Sequence, residues 1–282
     1  METSQSSRLE EAVAAELYLD LLKRVLTRYN FPERYRPLSR PSWPPYKAVL
    51  PLLRRLLGRK GLEIVRRCVV NPADRTEGKD WPPEAETMIG LRRLDNLQFC
   101  IADVVKCGVA GDLIETGVWR GGASIFARAV LKVYGDTSRL VWLAYSFQGL
   151  PRPSPEEYPS DVGSDFWEKE ELAVPLDEVK RNFERYGLLD EQVRFLVGWF
   201  KDTLPTAPVE RLSILRLDGD LYESTIQALD ALYPKLSAGG YCIIDDHHLR
   251  ECRAAVADYR GRAGITEEIR KIDWAAVYWQ RR

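Results

Sequence analysis

Residues 112–124 of this 282-residue chain are Asp112-Leu-Ile-Glu115-Thr-Gly117-Val-Trp-Arg-Gly121-Gly122-Ala-Ser124. The apolar start predicts a buried strand, and the glycines predict a tight turn that leads into a helix. Glycine accepts positive φ and has no side chain, so the backbone N–H groups of such a turn can approach a ligand closely. We therefore expect a ligand-binding turn at the carboxyl end of a strand.

Two further predicted strands, 212–218 and 239–245, end in the carboxylates Asp218, Asp245 and Asp246. In an open parallel sheet the carboxyl ends of the strands share one edge, where ligands bind. Clustered carboxylates repel one another unless they are paired, protonated or bound to a cation, and oxygen ligands suit Mg²⁺, Mn²⁺ or Ca²⁺. We interpret the three acids as a divalent-metal site; the alternative is that they cap the helices that follow.

The neighbours of these acids are ambiguous. Asp220 fits a second acidic group of the site and equally a turn into a helix near residue 223. His247 and His248 directly follow the acidic pair, so they are expected close to the site. A role in the site and a purely structural role both stay open for these two histidines.

The glycine spacing distinguishes between classes of ligand. It is G-x-x-x-G-G with Glu115 before the first glycine, whereas dinucleotide-binding turns have G-x-G-x-x-G. This spacing favours a nucleoside that carries an amino-acid tail over a pyrophosphate. Glu115 would either receive a ligand ammonium group or orient the amides of the turn. A nicotinamide-dependent oxidoreductase is the alternative class, and the spacing disfavours it.

The periodicity of the chain from residue 83 onward predicts an α/β fold with a doubly wound, mostly parallel sheet. The predicted strands are 112–116, 139–145, 193–198, 212–218, 239–245 and 275–281, and the predicted helices are 83–107, 122–134, 176–187, 223–236 and 249–262. Residues 149–175 form a long non-periodic insertion, which is typical of an active-site lid.

The N-terminal part has a different character. Residues 8–29 have helical periodicity, and the proline- and arginine-rich residues 31–72 contain one short predicted helix at about 46–58. This composition favours an arm or lid over a core. We expect the N-terminal arm to occupy residues 1–75 and the sheet domain to occupy residues 76–282.

Composition and charge exclude several classes of protein. The net charge of −1, from 41 basic and 42 acidic residues, does not indicate a nucleic-acid partner. No apolar run is long enough to span a bilayer, and the first residues carry acids where a signal peptide has bases. The five cysteines form no CxxC pair, which favours reduced core residues. A cytoplasmic protein with no membrane partner is expected.

Eight motifs follow one another along residues 75–282. They are Asp80-Trp81-Pro82, Thr87-Met88-Ile89-Gly90, Arg93-Leu94-Asp95-Asn96, Gly111 to Gly122, Ser146-Phe147-Gln148-Gly149-Leu150-Pro151, Gly198-Trp-Phe-Lys-Asp202-Thr203-Leu204-Pro205, Leu217 to Thr225, and Asp245-Asp246-His247-His248. Together they resemble the macrocin O-methyltransferase (TylF-like) family. The resemblance implies a seven-stranded, Rossmann-like methyltransferase sheet with a helical N-terminal extension and a lid insertion. It also implies S-adenosylmethionine and a divalent cation as cofactors.

The resemblance assigns roles to individual residues. The implied cofactor contacts are Thr87, Met88, Glu115, Gly117, Gly121, Ser124, Tyr145, Ser146, Gly198, Trp199 and Phe200. Thr87 and Met88 would lie beside the methionine part, Ser146 at the ribose, and residues 198–200 near the adenine. Asp218, Asp245 and Asp246 would hold Mg²⁺. Tyr145 is a departure, because relatives have an aspartate there that binds the ribose hydroxyls.

The sequence thus predicts an S-adenosylmethionine- and Mg²⁺-dependent O-methyltransferase of antibiotic biosynthesis. The resemblance implies a sugar hydroxyl of a glycosylated macrolide or aminocoumarin as acceptor. We expect the assembly to be a homo-oligomer, namely a dimer. Asp218 is the predicted general base. A catechol-type phenolic O-methyltransferase is the nearest alternative, since vicinal oxygens also chelate a metal. A catalytically weakened cofactor-binding homologue is another, for which Tyr145 is the main argument.

Overall fold

The computed structural model of the protein describes residues 2–31, 33–38 and 44–282. Residues 1, 32 and 39–43 of the predicted arm lie outside the described residues. The described helices are α1 (Glu2–Leu26), α2 (Pro44–Gly58), α3 (Pro72–Glu77), α4 (Leu91–Lys106), α5 (Gly122–Val133), α6 (Leu176–Arg185), α7 (Phe200–Thr203), α8 (Tyr222–Leu232) and α9 (Arg250–Ala263). The described strands are β1 (Glu33–Pro37), β2 (Val65–Val69), β3 (Asp112–Thr116), β4 (Val141–Tyr145), β5 (Val193–Val197), β6 (Leu212–Leu217), β7 (Leu236–Ile244), β8 (Arg270–Lys271) and β9 (Val277–Gln280).

Seven strands form the central sheet, in the order β5-β4-β3-β6-β7-β9-β8. Strands β3 to β7 pair in parallel, whereas β9 runs antiparallel to β7 and β8 runs antiparallel to β9. The prediction of a doubly wound, mostly parallel sheet is confirmed. Because the strand order reverses between β3 and β6, the carboxyl ends of these two strands flank a crevice in which α/β proteins bind ligands.

The core has two layers, one on each face of the sheet. Successive strand residues point to opposite faces, so Leu113 packs into one apolar cluster and Ile114 into the other. Helices α4, α5 and α6 cover the first face, and α8 and α9 cover the second. Helix α1 belongs to the first layer, since Leu19, Leu22 and Leu26 are buried in it. The first helix of the predicted arm therefore shares the core of the sheet.

The segment after α1 forms a unit that the periodicity did not predict. Strands β1 and β2 pair antiparallel, and α2 lies between them in the chain. The sequences of the two strands, Glu-Arg-Tyr-Arg-Pro and Val-Arg-Arg-Cys-Val, are dominated by charge and lack the apolar alternation of a half-buried strand. The short predicted helix at about 46–58 is confirmed as α2.

One predicted helix is too long. We predicted it over residues 83–107, but α4 begins only at Leu91, with Gly90 as its N-cap. The preceding residues form turns, and the carbonyl of Glu86 accepts a hydrogen bond of 2.9 Å from the N–H of Gly122 at the start of α5. This contact fixes the segment before α4 against the start of α5. Thr87 and Met88 therefore lie at the rim of the sheet.

Among the described helices, none combines the length and the apolar character that crossing a membrane requires.

The contact between the turn at Glu86 and the start of α5 leaves no space for a side chain at position 122. A Cβ on Gly122 would overlap the Glu86 carbonyl oxygen and lie 2.7 Å from the Cβ of Thr87. We expect Gly122→Ala to lower the free energy of unfolding by roughly 1–3 kcal/mol through overpacking. Gly261→Ala in α9 is the matched control, because a Cβ at that position would have nothing within 4 Å. It should stabilise the helix by about 0.4–1 kcal/mol. Thermal unfolding of both variants tests this, and similar melting temperatures for the two would contradict it.

Candidate active site

A cavity of about 860 Å³ lies over the carboxyl ends of the parallel strands. Nine of the eleven predicted cofactor residues line it, namely Thr87, Met88, Glu115, Gly117, Tyr145, Ser146, Gly198, Trp199 and Phe200. The three predicted metal ligands, Asp218, Asp245 and Asp246, line it as well. The structure therefore brings the glycine turn and the acidic residues to one rim of the sheet, although they are distant in sequence.

Two predicted cofactor residues do not line the cavity. Gly121 is the N-cap of α5 with a φ of 84°, and it packs near Val179 and Phe183. Ser124 is buried in α5 and donates a hydrogen bond to the carboxylate of Glu115. Ser124 thus supports Glu115 from beneath the cavity.

The glycine turn is in backbone contact with the strand end that carries Asp218. Gly117 has a φ of 83°, and a Cβ on it would overlap the carbonyl oxygen of Asp218 and lie 2.8 Å from the carbonyl carbon. The N–H of Asp218 donates to the carbonyl of Thr116 at 2.9 Å, which continues the pairing of β3 with β6. A side chain at position 117 would separate the turn from Asp218, so this glycine is required by the close approach.

Arg216 connects carboxylates from three neighbouring strands. Its Nη1 lies 2.5 Å from Glu115 at the end of β3 and 2.9 Å from Asp218 after β6, and its Nη2 lies 2.5 Å from Asp245 after β7. The side chain of Arg216 is only 4% exposed. A buried guanidinium of this kind fixes several carboxylates at once, because its donors point in set directions.

A second arginine holds Asp245 from the other side. Nη1 of Arg93, in α4, donates to Oδ2 of Asp245, while its Nε donates to Asp273 at 2.7 Å. The guanidinium also lies 5.9 Å from the ring of Trp274, which lines the cavity. Both oxygens of Asp245 are therefore hydrogen-bonded to arginines, and these two charges lower the pKa of this buried carboxylate.

The site carries more acids than arginines. Six carboxylates, Glu115, Asp218, Asp220, Asp245, Asp246 and Asp273, accompany the two arginines. Burial and the charge of Asp218 raise the pKa of Asp220 to about 7. Burial and the charges of Asp220 and Asp245 raise the pKa of Asp246 to about 8. Burial and the charge of Asp245 also hold the pKa of Asp218 well above its usual range. Without a further cation, part of this cluster takes up protons.

Three of the acids have the arrangement of a metal site. One oxygen each of Asp218, Asp245 and Asp246 can be chosen so that all three lie within 4.8 Å of one another. Carboxylate oxygens are hard ligands of the kind that Mg²⁺ and Ca²⁺ prefer. A divalent cation would offset the excess negative charge that raises the pKa values, so the donor set fits such an ion.

The two histidines are placed differently. The His248 ring lines the cavity and packs edge-to-face on Trp274 at a centroid distance of 4.5 Å. His247 does not line this cavity; it lines a smaller neighbouring pocket, which His248 also borders. Burial and the charge of a nearby arginine lower the pKa of both histidines. Of the two histidines, His248 is therefore the one placed to contact a ligand in the cavity.

The 149–175 insertion, which we predicted as a lid, borders the cavity. Arg152, Tyr158, Phe166 and Leu172 line the cavity from this side, whereas none of the described residues in 31–72 does. The described residues of this proline-rich segment therefore do not border the cavity of their own chain.

Tyr145 contacts the insertion instead of leaving its hydroxyl free for a ligand. Its hydroxyl donates to the carbonyl of Leu172, and Nε1 of Trp119 donates to the adjacent carbonyl of Glu171 at 2.8 Å. Ser146, predicted at the ribose, donates its hydroxyl to the carbonyl of Gly149 at 2.5 Å. Both hydroxyls are thus engaged at the base of the insertion.

Sequence reasoning gave no role to Arg93, Arg216, Asp273 and Trp274. Arg216 had a visible signal, since it is a charge inside a run of strand residues that are otherwise mostly apolar, Leu212-Ser-Ile-Leu-Arg-Leu. A charge inside a buried strand needs partners. Asp273 and Trp274 precede the last long strand and carry no comparable local signal.

Comparisons with known proteins agree with this geometry. A family model described as macrocin O-methyltransferase (TylF) matches residues 15–281. The chain is 52% identical, over 95% of its length and 93% of the relative's, to 8-demethyl-8-(2,3-dimethoxy-alpha-L-rhamnosyl)-tetracenomycin-C 4'-O-methyltransferase of Streptomyces olivaceus. It is 46% identical to mycinamicin III 3''-O-methyltransferase of Micromonospora griseorubida, covering 97% of this chain and 99% of that one.

A third relative and a solved structure extend the comparison. Demethyldecarbamoylnovobiocin O-methyltransferase of Streptomyces niveus is 53% identical over 73% of this chain and 80% of its own length. The structure of the O-methyltransferase NovP has a TM-score of 0.81 and 43% identity, and the match covers 95% of this chain and 99% of that one. The fold class predicted from the sequence is confirmed by this structure.

The raised pKa values predict a pH dependence of stability. Folded Asp220 and Asp246 have pKa values of about 7 and about 8, against 3.8 for an ordinary aspartate. The folded state therefore binds these protons more tightly than the unfolded state. The stabilisation of the folded state by these two bound protons is fully present below pH 3.8 and is lost as the pH rises towards 8.

We expect Asp246→Asn to have a higher melting temperature than the parent at pH 8 in chelator, with a difference that shrinks towards pH 4. The amide removes one buried proton-binding group without changing the size of the side chain. Thermal unfolding across this pH range is the measurement. Asp165→Asn, an exposed position in the insertion, is the control and should follow the parent. A constant difference at all pH values would count against this explanation.

Proposed function

The chain belongs to the macrocin O-methyltransferase (TylF) family, and we propose that it methylates a sugar hydroxyl of a glycosylated natural product with the help of a divalent cation. As a member of this family it is an O-methyltransferase, and methyl transfer in the family implies S-adenosylmethionine as the methyl donor. The observation that carries the proposal is the contact between the glycine turn and Asp218. This contact supports the proposal because it brings the glycine turn, which would bind the cofactor, next to the acids that would hold the cation.

The cofactor would lie along the rim from β3 to β5. Gly117 leaves the turn open to a close approach, and Glu115 at the cavity edge supplies a carboxylate suited to an ammonium group. Trp199 and Phe200, after β5, give apolar surface for a nucleoside base. S-adenosylmethionine, when bound, supplies a methyl group on a positively charged sulfur. Tyr145 would contribute its ring to this part of the cavity, because its hydroxyl is engaged by Leu172.

The cation would be held by Asp218, Asp245 and Asp246, with Mg²⁺ as the proposed ion. Such an ion, when bound, lowers the pKa of a neighbouring hydroxyl and orients it. The two arginines have a distinct function here. Arg93 and Arg216 keep Asp245 ionised and fixed in position, so the site is formed before an ion arrives.

Asp218 is the proposed general base. It lies in the cavity directly against the glycine turn, and one of its oxygens is bound to Arg216 while the side chain stays partly accessible. The accessible carboxylate would accept the proton of the acceptor hydroxyl. At the same time the hydroxyl oxygen would form its bond to the methyl carbon, and the carbon–sulfur bond of the donor would break. The remaining contribution of the protein is to align the acceptor oxygen with the methyl group.

The lining of the cavity suits a ring-shaped, hydroxylated acceptor. Aromatic side chains from separate segments line it, including Trp81, Phe166 and Trp274, and carboxylates line it as well. Aromatic faces pack well on the C–H surface of a sugar, while polar groups fix its hydroxyls. The relatives' names specify methylation on a rhamnosyl tetracenomycin and on mycinamicin III. A catechol would occupy the same cavity as the alternative acceptor.

The proposal predicts a one-methyl mass gain on a glycosylated acceptor. The panel should contain mycinamicin III, the dimethoxyrhamnosyl tetracenomycin, demethyldecarbamoylnovobiocin and a catechol, each incubated with S-adenosylmethionine and Mg²⁺. Asp218→Asn should reduce kcat by about 10²–10⁴-fold, because the proton acceptor is lost. Mass spectrometry of the products is the measurement, and Asp165→Asn is the control.

The outcomes separate the alternatives. Turnover of the catechol alone would favour a phenolic acceptor. Binding of S-adenosylhomocysteine without any methyl gain, in the presence of metal, would favour a catalytically weakened homologue. Full turnover in excess chelator would contradict the role of the cation.

We further propose that the chain forms a homo-oligomer, in the simplest case a dimer, through α1. Val13, Leu17 and Leu21 lie on one face of this helix at four-residue spacing and are 59%, 66% and 55% exposed. Contiguous exposed apolar surface of this kind marks interaction sites. The opposite face of α1 is already buried in the core through Leu19, Leu22 and Leu26, so the exposed face is available to a partner.

Leu17→Glu combined with Leu21→Glu should shift the protein towards monomer, since two charges would then face the apolar partner surface. Light scattering after size exclusion gives the mass of the parent and the variant. The control is Val162→Glu, an exposed apolar residue in the insertion that is remote in sequence from α1. A monomeric parent would exclude the oligomer proposal without affecting the proposed reaction.

A further inference from the structure

Asp161, in the middle of the 149–175 insertion, is a buried carboxylate that the proposed reaction does not use. It is fully buried, and its two oxygens accept hydrogen bonds from the backbone N–H groups of Tyr222 at 2.7 Å and Glu223 at 2.9 Å. These N–H groups belong to the first turn of α8, about sixty residues further along the chain. The insertion therefore caps the N-terminus of a helix that it is not connected to.

Helix α8 has no cap of its own in this position. Its N-cap residue is Leu221, which provides no side-chain hydrogen bond. The sequence also fits Asp220 to a turn that leads into this helix. Asp220 lines the cavity, and its side chain does not cap the helix. The negative charge of Asp161 also lies at the positive end of the helix, where an anion is stabilising. The insertion thus satisfies groups that would otherwise be left without a partner.

The capped end of α8 adjoins the short turn that carries the catalytic-site acids. Asp220 has a φ of 58°, a strained value for a residue with a side chain. Its N–H donates to Asp246 at 3.3 Å, and the N–H of Leu221 donates to the carbonyl of Gly219 at 2.6 Å. The turn is therefore held by β7 on one side and by the start of α8 on the other.

Other contacts join the insertion to the same helix. The ring of Tyr158 lies 6.1 Å from that of Tyr222, and Tyr158 and Glu223 both line the cavity. The insertion therefore contacts the cavity and the first turn of α8 at the same time.

We propose that Asp161 is a positioning residue that couples docking of the insertion to the geometry of Asp218 and Asp220. This inference rests on the proposed function, in which Asp218 helps to hold the cation and accepts the proton. With the insertion docked, the carboxylate fixes the first turn of α8 and thereby the strained turn before it. With the insertion displaced, the N–H groups of Tyr222 and Glu223 lose their acceptor and the turn relaxes. The site would then be assembled only when the cavity is covered.

The test compares Asp161→Ala and Asp161→Asn in the full chain, with Asp165→Ala as control. Asp165 lies in the same insertion, but its side chain is 76% exposed. Hydrogen exchange followed by mass spectrometry reports on residues 149–175 and on residues 218–226 separately. We expect Asp161→Ala to accelerate exchange about tenfold in both segments, the size expected when one cap is lost. Asp161→Asn retains an acceptor oxygen and should show a smaller effect, and the control should match the parent.

Metal affinity gives a second readout. Calorimetric titration with Mg²⁺ alone should show several-fold weaker binding for Asp161→Ala than for the parent and the control. Faster exchange of the insertion with unchanged exchange at residues 218–226 would overturn the coupling, as would a folded Asp161→Asn variant identical to the parent in both segments. A parent protein that binds no Mg²⁺ would contradict the metal in the proposed function, and the exchange data would still decide the coupling.

Discussion

A buried guanidinium makes the acidic rim of this protein possible. Glu115, Asp218 and Asp245 end or follow three adjacent strands, and Arg216 is hydrogen-bonded to all three. Removing carboxylates from water costs several kcal/mol each unless a cation and hydrogen bonds compensate. A lysine could not replace this residue, because its single ammonium lacks the planar arrangement of donors that reaches three acceptors. This one side chain thus connects the acid before the glycine turn with the candidate base and with one further acid of the proposed metal site.

The elements of the fold were largely predictable because their signals are local. The apolar runs gave β3 to β7 and β9 to within a few residues, and the glycine spacing gave the turn after β3. The general rule that parallel strands bind ligands at their carboxyl ends then placed Asp218 beside that turn. The helix predicted from residue 83 was wrong at its start, because a tertiary contact to Gly122 determines the path of residues 82–90 and leaves no local trace.

The parts that were not predicted are pairings between distant residues. Nothing near Asp161 indicates that it caps α8, and nothing near Tyr145 indicates that its hydroxyl binds the carbonyl of Leu172. Both contacts fix the insertion, which has no periodicity of its own, so its position is determined by what it contacts. Tyr145 illustrates the limit well, since the resemblance to the family indicated the position of the residue but not the partner of its hydroxyl.

Position 117 has no space for a side chain, and this also limits which substitutions the protein can accept during evolution. A turn that touches the backbone of Asp218 cannot be given a side chain without displacing this residue, the proposed base. Under the proposed function, we expect new acceptor preferences to arise in segments that border the cavity without taking part in that contact. The insertion at 149–175 and the loop that carries Trp274 meet this condition. Under the proposed function, one stretch of the chain preserves the chemistry, and other stretches can change to accept new substrates.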